Sequence, residues 1–296
     1  MKKVFILGGT TFDSIVYLQN LPKPEPQTIH YAPYHETMGS TGASKALNLT
    51  KLNVANTLHS IIGNDWYGEQ IVQKLEAAGV RFLYDVDPKG TERHINLLDE
   101  NGGRISIFIT QSSSELELNL AVIEEEIRTC DAIILNIIGY TKQLLPLLKK
   151  YNKPVWTDLH DYNVGNPYHE DFIDMADYIF VSSDNMPDYR PVMEQWIARG
   201  KELVVCTHGK GGSTALTKDG QWIETPIIRD YPYKDANGAG DSFFSGFMYG
   251  AFQSKSVEEC LKLGTIVAGL CITSSELAYE GLSEELVTKE FEKYYG

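Results

Sequence analysis

Asp235-Ala-Asn-Gly-Ala-Gly-Asp-Ser-Phe-Phe-Ser-Gly-Phe247 sets three small residues immediately before an apolar helical run. Gly238, Ala239 and Gly240 let the backbone approach a ligand closely, and the free N–H groups of the helix's first turn then point at an anion. Asp241, at the edge of that turn, is placed to accept a proton from a hydroxyl while the amides take up charge on transferred phosphoryl oxygens. Taken alone, the same residues also fit a helix N-cap aspartate behind a glycine turn. Both readings stay open at this point.

Outward from this helix, short apolar runs alternate with segments of helical period. Residues 4–7, 57–62, 132–136, 155–158, 178–181 and 203–206 read as buried strands, and 43–52, 67–78, 142–149 and 192–198 as helices. After Gly238 the chain reads as helices at 242–252, 257–274 and 284–294. The pattern predicts a three-layer α/β/α, doubly wound fold with a mostly parallel sheet. Two stretches break the alternation, 27–38 and 93–109, the second a hairpin turned at Glu100 to Gly103. The second has no helix on either side, and both stretches are expected to leave the main sheet as a small β lid, an ordinary edge hairpin being the alternative. A second hairpin joins 212–217 to 221–225. The expected organisation is one domain over residues 1–296.

The 296 residues carry 26 Lys and Arg against 40 Asp and Glu, a net charge of -14, which argues against a surface built to hold nucleic-acid phosphates. Hydrophobic residues at 43% and charged residues at 22% are ordinary for a globular protein. The apolar run at the start ends at Gly8 after four residues, too short for a signal peptide, and no later run approaches a membrane span. A cytoplasmic protein is expected. Cys130, Cys206, Cys260 and Cys271 are scattered and read as reduced core thiols.

The thirteen-residue string resembles the C-terminal signature of the ribokinase, or PfkB, family of carbohydrate kinases, D-T-x-G-A-G-D-x-F-x-x-G. The resemblance implies transfer of the γ-phosphoryl group of ATP to a hydroxyl of a sugar-like substrate. It makes Asp241 the catalytic base, with Gly238, Ala239 and Gly240 as the anion hole. Mg²⁺ is then expected with ATP, and Asp235 falls where several members bind a monovalent cation such as K⁺. Asp13, after Gly8 and Gly9, stands where the family places an aspartate that binds substrate hydroxyls. Gly39-Ser-Thr-Gly-Ala-Ser-Lys-Ala-Leu-Asn48 resembles the N-terminal signature G-G-x-G-x-N, which makes Gly39, Ser40, Gly42 and Ser44 substrate contacts, with Ser44 where many members have Asn. Thr207-His-Gly-Lys-Gly-Gly212 is similar to the T-x-G-x-x-G loop beneath ATP, so Thr207, Gly209 and Gly212 are nucleotide contacts, and adenine is expected near Ala268 and Gly269. His208 carries no functional signal.

One family element is missing. Where members commonly have Asn-x-x-Glu, which orders Mg²⁺ and its waters, this chain has Ser183 and Met186. The Mg²⁺ ligands are therefore unassigned, with Asp184, Asp188 and the Asp158-Leu-His-Asp-Tyr162 cluster as candidate sources. The family also pairs lids in dimers, so a homodimer through the lid is expected. A nucleoside kinase of the same family is the nearest alternative, and a sugar-sensing protein without turnover is another. A dinucleotide-dependent oxidoreductase fits poorly, because residues 8–13 lack the G-x-G-x-x-G spacing.

Overall fold

The computed structural model describes residues 2–100 and 103–296. In chain order its strands are β1 (Lys3–Leu7), β2 (Thr11–Leu18), β3 (Tyr34–Gly39), β4 (Ala55–Ile62), β5 (Arg81–Val86), β6 (Arg93–Asp99), β7 (Arg104–Thr110), β8 (Ala132–Leu135), β9 (Val155–Asp158), β10 (Tyr178–Ser182), β11 (Leu203–Thr207), β12 (Ser213–Thr217) and β13 (Trp222–Thr225). The α-helices are α1 (Thr41–Lys51), α2 (Trp66–Ala77), α3 (Leu120–Thr129), α4 (Leu145–Tyr151), α5 (Glu170–Met175), α6 (Tyr189–Ala198), α7 (Ala239–Phe252), α8 (Val257–Cys271) and α9 (Glu284–Tyr295).

Nine strands form one sheet in the order β13-β12-β11-β10-β9-β8-β1-β4-β5, parallel from β11 to β5 and antiparallel through the β12 and β13 hairpin. Four-residue apolar runs become interior strands because successive side chains enter opposite layers. In β1, Val4 and Ile6 join the core beneath α1, α7 and α8, while Phe5 and Leu7 join the one beneath α3, α4 and α6; all four are fully buried. The C-terminal ends of β11, β10, β9, β8 and β1 consequently lie side by side along one rim. That rim is where open α/β sheets bind ligands.

A second sheet, in the order β3-β2-β6-β7, stands over the rim. The hairpin expected at 93–109 is present as β6 and β7, but Asn101 and Gly102 of its turn lie outside the described residues. The other half of the lid differs from expectation. Its strands are β2 and β3, and residues 27–33 form no regular element, as the prolines at 24, 26 and 33 suit. β2 pairs with both β3 and β6, so it lies at the centre of the sheet. Its sequence, TFDSIVYL, does not alternate, which hid it among loop residues. The edge strand β5 and helices α3 and α5 also escaped the sequence reading.

All four cysteines are free and buried; burial pushes the thiols of Cys206 and Cys260 up to about 12 and those of Cys130 and Cys271 to about 11. Among the described residues, no helix is long and apolar enough to cross a membrane.

Candidate active site

Helix α7 begins at Ala239 with Gly238 as its N-cap, so Asp241 sits inside the first turn and does not cap it. This removes the N-cap alternative. Gly238 has φ +77°, and a Cβ there would press on the Leu277 carbonyl at 2.9 Å, so the residue is confined to glycine twice over. The Ala239 N–H donates to the Ala236 carbonyl at 3.1 Å and the Ser242 N–H to Gly238 at 2.9 Å. Between them, the N–H groups of Gly240 and Asp241 are the first-turn donors that an anion can meet. A Cβ on Gly240 would meet nothing within 4 Å, so this turn opens into free space.

That space is a cavity of about 950 Å³ bounded by Gly238, Ala239, Gly240 and Asp241 on one side and by Asp13 and His94 of the second sheet, with Glu92 just before β6, on another. Beneath it lies Lys45, a residue without an assigned role in the sequence reading. Its side chain is wholly buried, yet its ammonium contacts the Asp241 carboxylate, reaches Asp158 Oδ2 at 3.3 Å and stands 5.0 Å above the Phe244 ring. Burial pulls the ammonium toward neutrality, but Asp241 and Asp158 outweigh it and raise the Lys45 pKa. Burial likewise opposes ionisation of Asp158, but the charges of His160 and Lys45 prevail and hold this carboxyl below its usual range. The sequence signal was present: Lys45 shares a helix face with the buried Gly42 and Leu49, at spacings of three and four. A lysine on such a face needs partners.

His160 has φ +53°, its N–H donates to Asp158 Oδ1 at 3.0 Å, and its Nδ1 lies 3.4 Å from Oδ2. Asp158, His160 and Asp241 each offer a donor atom within 4.8 Å of the others. Two carboxylates suit a hard cation such as Mg²⁺, which keeps most of its waters and also binds the phosphates of its substrate. Met186, in the position of the missing family glutamate, is buried in the core, and Asp184 and Asp188 are exposed.

On the second sheet, Asp13 is 6% exposed; Oδ2 accepts from Asn96 Nδ2 at 3.5 Å, and Oδ1 has no hydrogen-bond partner among the described residues. His94 Nδ1 lies 3.6 Å from that oxygen, while His94 Nε2 pairs with Glu92 at 2.9 Å and the ring packs on Phe108. Burial raises the Asp13 pKa, and His94 opposes the shift. A buried carboxylate oxygen with no donor is suited to a ligand hydroxyl. Gly39 makes room for the carboxylate, since a Cβ there would collide with Asp13 and Thr11. Glu92, His94 and Asn96 were not singled out in the sequence.

Several expected contacts have other partners. Ser40 lines the cavity, but Gly42 packs against the Gly8–Gly9 backbone, and Ser44, fully buried, donates to the Leu277 carbonyl at 3.1 Å. Thr207 and Gly209 line the cavity, whereas Gly212 closes their loop, its carbonyl accepting from the His208 N–H at 2.8 Å. His208 is held by Ser183 and Thr214 through its two ring nitrogens. A Cβ on Gly269 would strike the Tyr231 ring, so Tyr231 packs directly on Gly269, the residue expected beside adenine. Asp235 lies outside this cavity; its Oδ1 accepts from the Asn237 N–H at 2.8 Å.

Residues 174–284 match the family described as pfkB family carbohydrate kinase. The acarbose 7(IV)-phosphotransferase of an Actinoplanes species is 28% identical over 274 residues, which cover 91% of this chain and 92% of the relative. The nucleoside kinase of Methanocaldococcus jannaschii is 24% identical over 311 residues, covering 99% and 98%. Among solved structures, a microbiome-derived acarbose kinase superposes with a TM-score of 0.87 at 25% identity, over 97% of this chain and 98% of that one.

Replacing Lys45 tests the buried charge cluster. Lys45→Met leaves two carboxylates facing each other without their cation, and stability at pH 7 is expected to fall by about 3–5 kcal/mol. Asp158 has a folded pKa below its ordinary 3.8, so it stabilises the fold above that pH and loses this contribution as pH falls through the folded value. The wild-type advantage over Lys45→Met should therefore be largest near neutrality and shrink below about pH 4. Urea unfolding at pH 7 and pH 3.5 measures both; a pH-independent difference would contradict the arrangement.

Proposed function

This chain belongs to the pfkB family of carbohydrate kinases, and we propose that it moves the γ-phosphoryl group of ATP onto a hydroxyl of a sugar or sugar-derived acceptor. The observation that carries this reading is the placement of Asp241 between the α7 first turn and the cavity that also receives Asp13. Asp13 Oδ1 and His94 hold the acceptor hydroxyls, and Asp241 takes the proton from the one that attacks. A new bond forms between that oxygen and the γ-phosphorus as the bond to the β–γ bridging oxygen breaks, releasing ADP. The Gly240 and Asp241 N–H groups face the charge on the transferred group, so Gly238, Ala239 and Gly240 form the anion hole. Lys45 fixes the direction of the Asp241 carboxylate, which favours an aligned encounter.

Thr207 and Gly209 flank the nucleotide phosphates, with Gly212 shaping their loop. Asp158 is the carboxylate that would hold the water shell of a Mg²⁺ ion bound to ATP, and such an ion would neutralise phosphate charge. A monovalent cation beside Asp235 is part of the proposal, as is a single kinase domain over the whole chain in the cytoplasm. Activity should then fall when K⁺ is replaced by choline at constant ionic strength, and unchanged rates would remove the cation. We further propose that two copies pair through β7, an edge strand on which Ile105, Ile107, Phe108 and Ile109 are all exposed. Light scattering is expected to give twice the chain mass; a monomer at assay concentration would exclude this pairing.

An acceptor panel of sugars, sugar acids and nucleosides, with ADP release as readout, separates a carbohydrate kinase from a nucleoside kinase. Tight sugar binding with no ADP would instead identify a sensor. On the best acceptor, Asp13→Ala should raise the acceptor KM several-fold to a hundredfold, as the loss of a charge-assisted bond of about 1.5–3 kcal/mol requires. KM for ATP should stay near its wild-type value. An unchanged acceptor KM would remove Asp13 from the site.

A further inference from the structure

A second cavity, of about 1120 Å³, opens beneath the far end of the second sheet. It is bounded by β2, the irregular 27–33 segment and the 233–237 loop that leads into α7. It shares Asn96, Arg104, Asp184, Ala236 and Asn237 with the catalytic cavity, so the two adjoin. Asn96 is the joint: its Nδ2 reaches Asp13, and its Oδ1 accepts from Ser106 Oγ at 2.6 Å. Whole small-molecule pockets measure roughly 300–1,000 Å³, so the catalytic cavity alone has room for one sugar ring and the phosphates that meet it. The second cavity is surplus to a monosaccharide.

Its lining indicates what fills it. None of Gly238, Ala239, Gly240, Asp241, Thr207 or Gly209 reaches it, so the first-turn amides that meet phosphate lie outside it, and its charged groups are of both signs, Glu100, Asp184 and Asp235 beside Arg104 and Lys234. Aromatic rings stand among the polar groups. Tyr31 is fully exposed, held out by a backbone at φ +59° that a bulky residue seldom adopts. Tyr233 is 60% exposed on the loop side, and Tyr17 is stacked on His35 at 5.8 Å. Flat apolar faces alternating with amide and carboxylate groups match a saccharide, whose rings offer C–H faces rimmed by hydroxyls.

We propose that this second cavity is an extended acceptor subsite, and that the preferred acceptor is an oligosaccharide whose terminal ring lies at Asp13 while its further rings pack along Tyr31 and Tyr233. The proposal rests on the kinase reading above and deepens it to a substrate class. The test compares ribose, fructose, glucose and adenosine with maltose, maltotriose, maltotetraose and acarbose, by ADP release and by calorimetric binding.

The best oligosaccharide is expected to exceed the best monosaccharide at least tenfold in kcat/KM. In Tyr31→Ala/Tyr233→Ala the ratio of oligosaccharide to monosaccharide kcat/KM should fall about tenfold, the scale of one or two lost ring contacts, with the melting temperature close to wild type. A monosaccharide or adenosine as the best acceptor, or a parallel loss on short and long acceptors in the double variant, would overturn the subsite. Oligosaccharide binding that the double variant weakens, without ADP release, would keep the subsite and overturn the kinase reading. Absence of both turnover and binding would overturn both.

Discussion

The contact of the Lys45 ammonium with Asp158 and Asp241 is the constraint on which the rest of the site depends. A wholly buried lysine is tolerated only where carboxylates offset its desolvation, and these two come from different parts of the chain. Asp158 ends β9 and Asp241 opens α7, so the ion cluster ties α1, the sheet rim and the catalytic turn together. The same face of α1 adds polar ties to α7 and its surroundings. Ser44 and Asn48 donate to the Leu277 carbonyl, and Ser242 Oγ donates to Asn48 Oδ1 at 3.3 Å. A Gly42–Gly8 backbone contact lets α1 sit close enough for these bonds to form. Ser44 thus supports the turn from behind.

From this anchor the two sides of the cavity acquire different tasks. The rim and α7 are densely buried elements that present first-turn amides and the Asp241 carboxylate to the cavity. The second sheet presents Asp13, His94 and Asn96 from a thinner layer whose outer strand is exposed along its length. Chemistry that is common to a family can stay with the first side, while choice of acceptor can vary on the second.

The main sheet was legible because a parallel strand buried on both faces leaves an unmistakable apolar run, as in β1 and β11. The lid was only half legible. β6 and β7 alternate and flank a glycine turn, whereas β2 mixes Thr, Asp and Ser with a contiguous apolar run and is recognisable only by its pairing with β3 and β6. Asp241 could be found from the string around it, although residues alone could not tell a cap from a first-turn acid. Lys45 was not found, because its importance arises from two carboxylates 113 and 196 positions away. Gly42, Ser44 and Gly269 were ambiguous for a related reason: small residues make the same pattern whether a ligand or another part of the chain comes close, and here the Gly8–Gly9 backbone, the Leu277 carbonyl and the Tyr231 ring come close to them.

The central claim is that the carboxylate at the start of α7 takes the acceptor proton, and the most direct measurement is single-turnover and steady-state phosphoryl transfer by Asp241→Asn. The substitution keeps the side-chain size within the first turn and removes the proton acceptor. The account predicts a folded protein, an ATP affinity equal to or tighter than wild type, and a kcat lowered by roughly 10² to 10⁴-fold. A folded Asp241→Asn protein with near wild-type kcat on its best acceptor would contradict it.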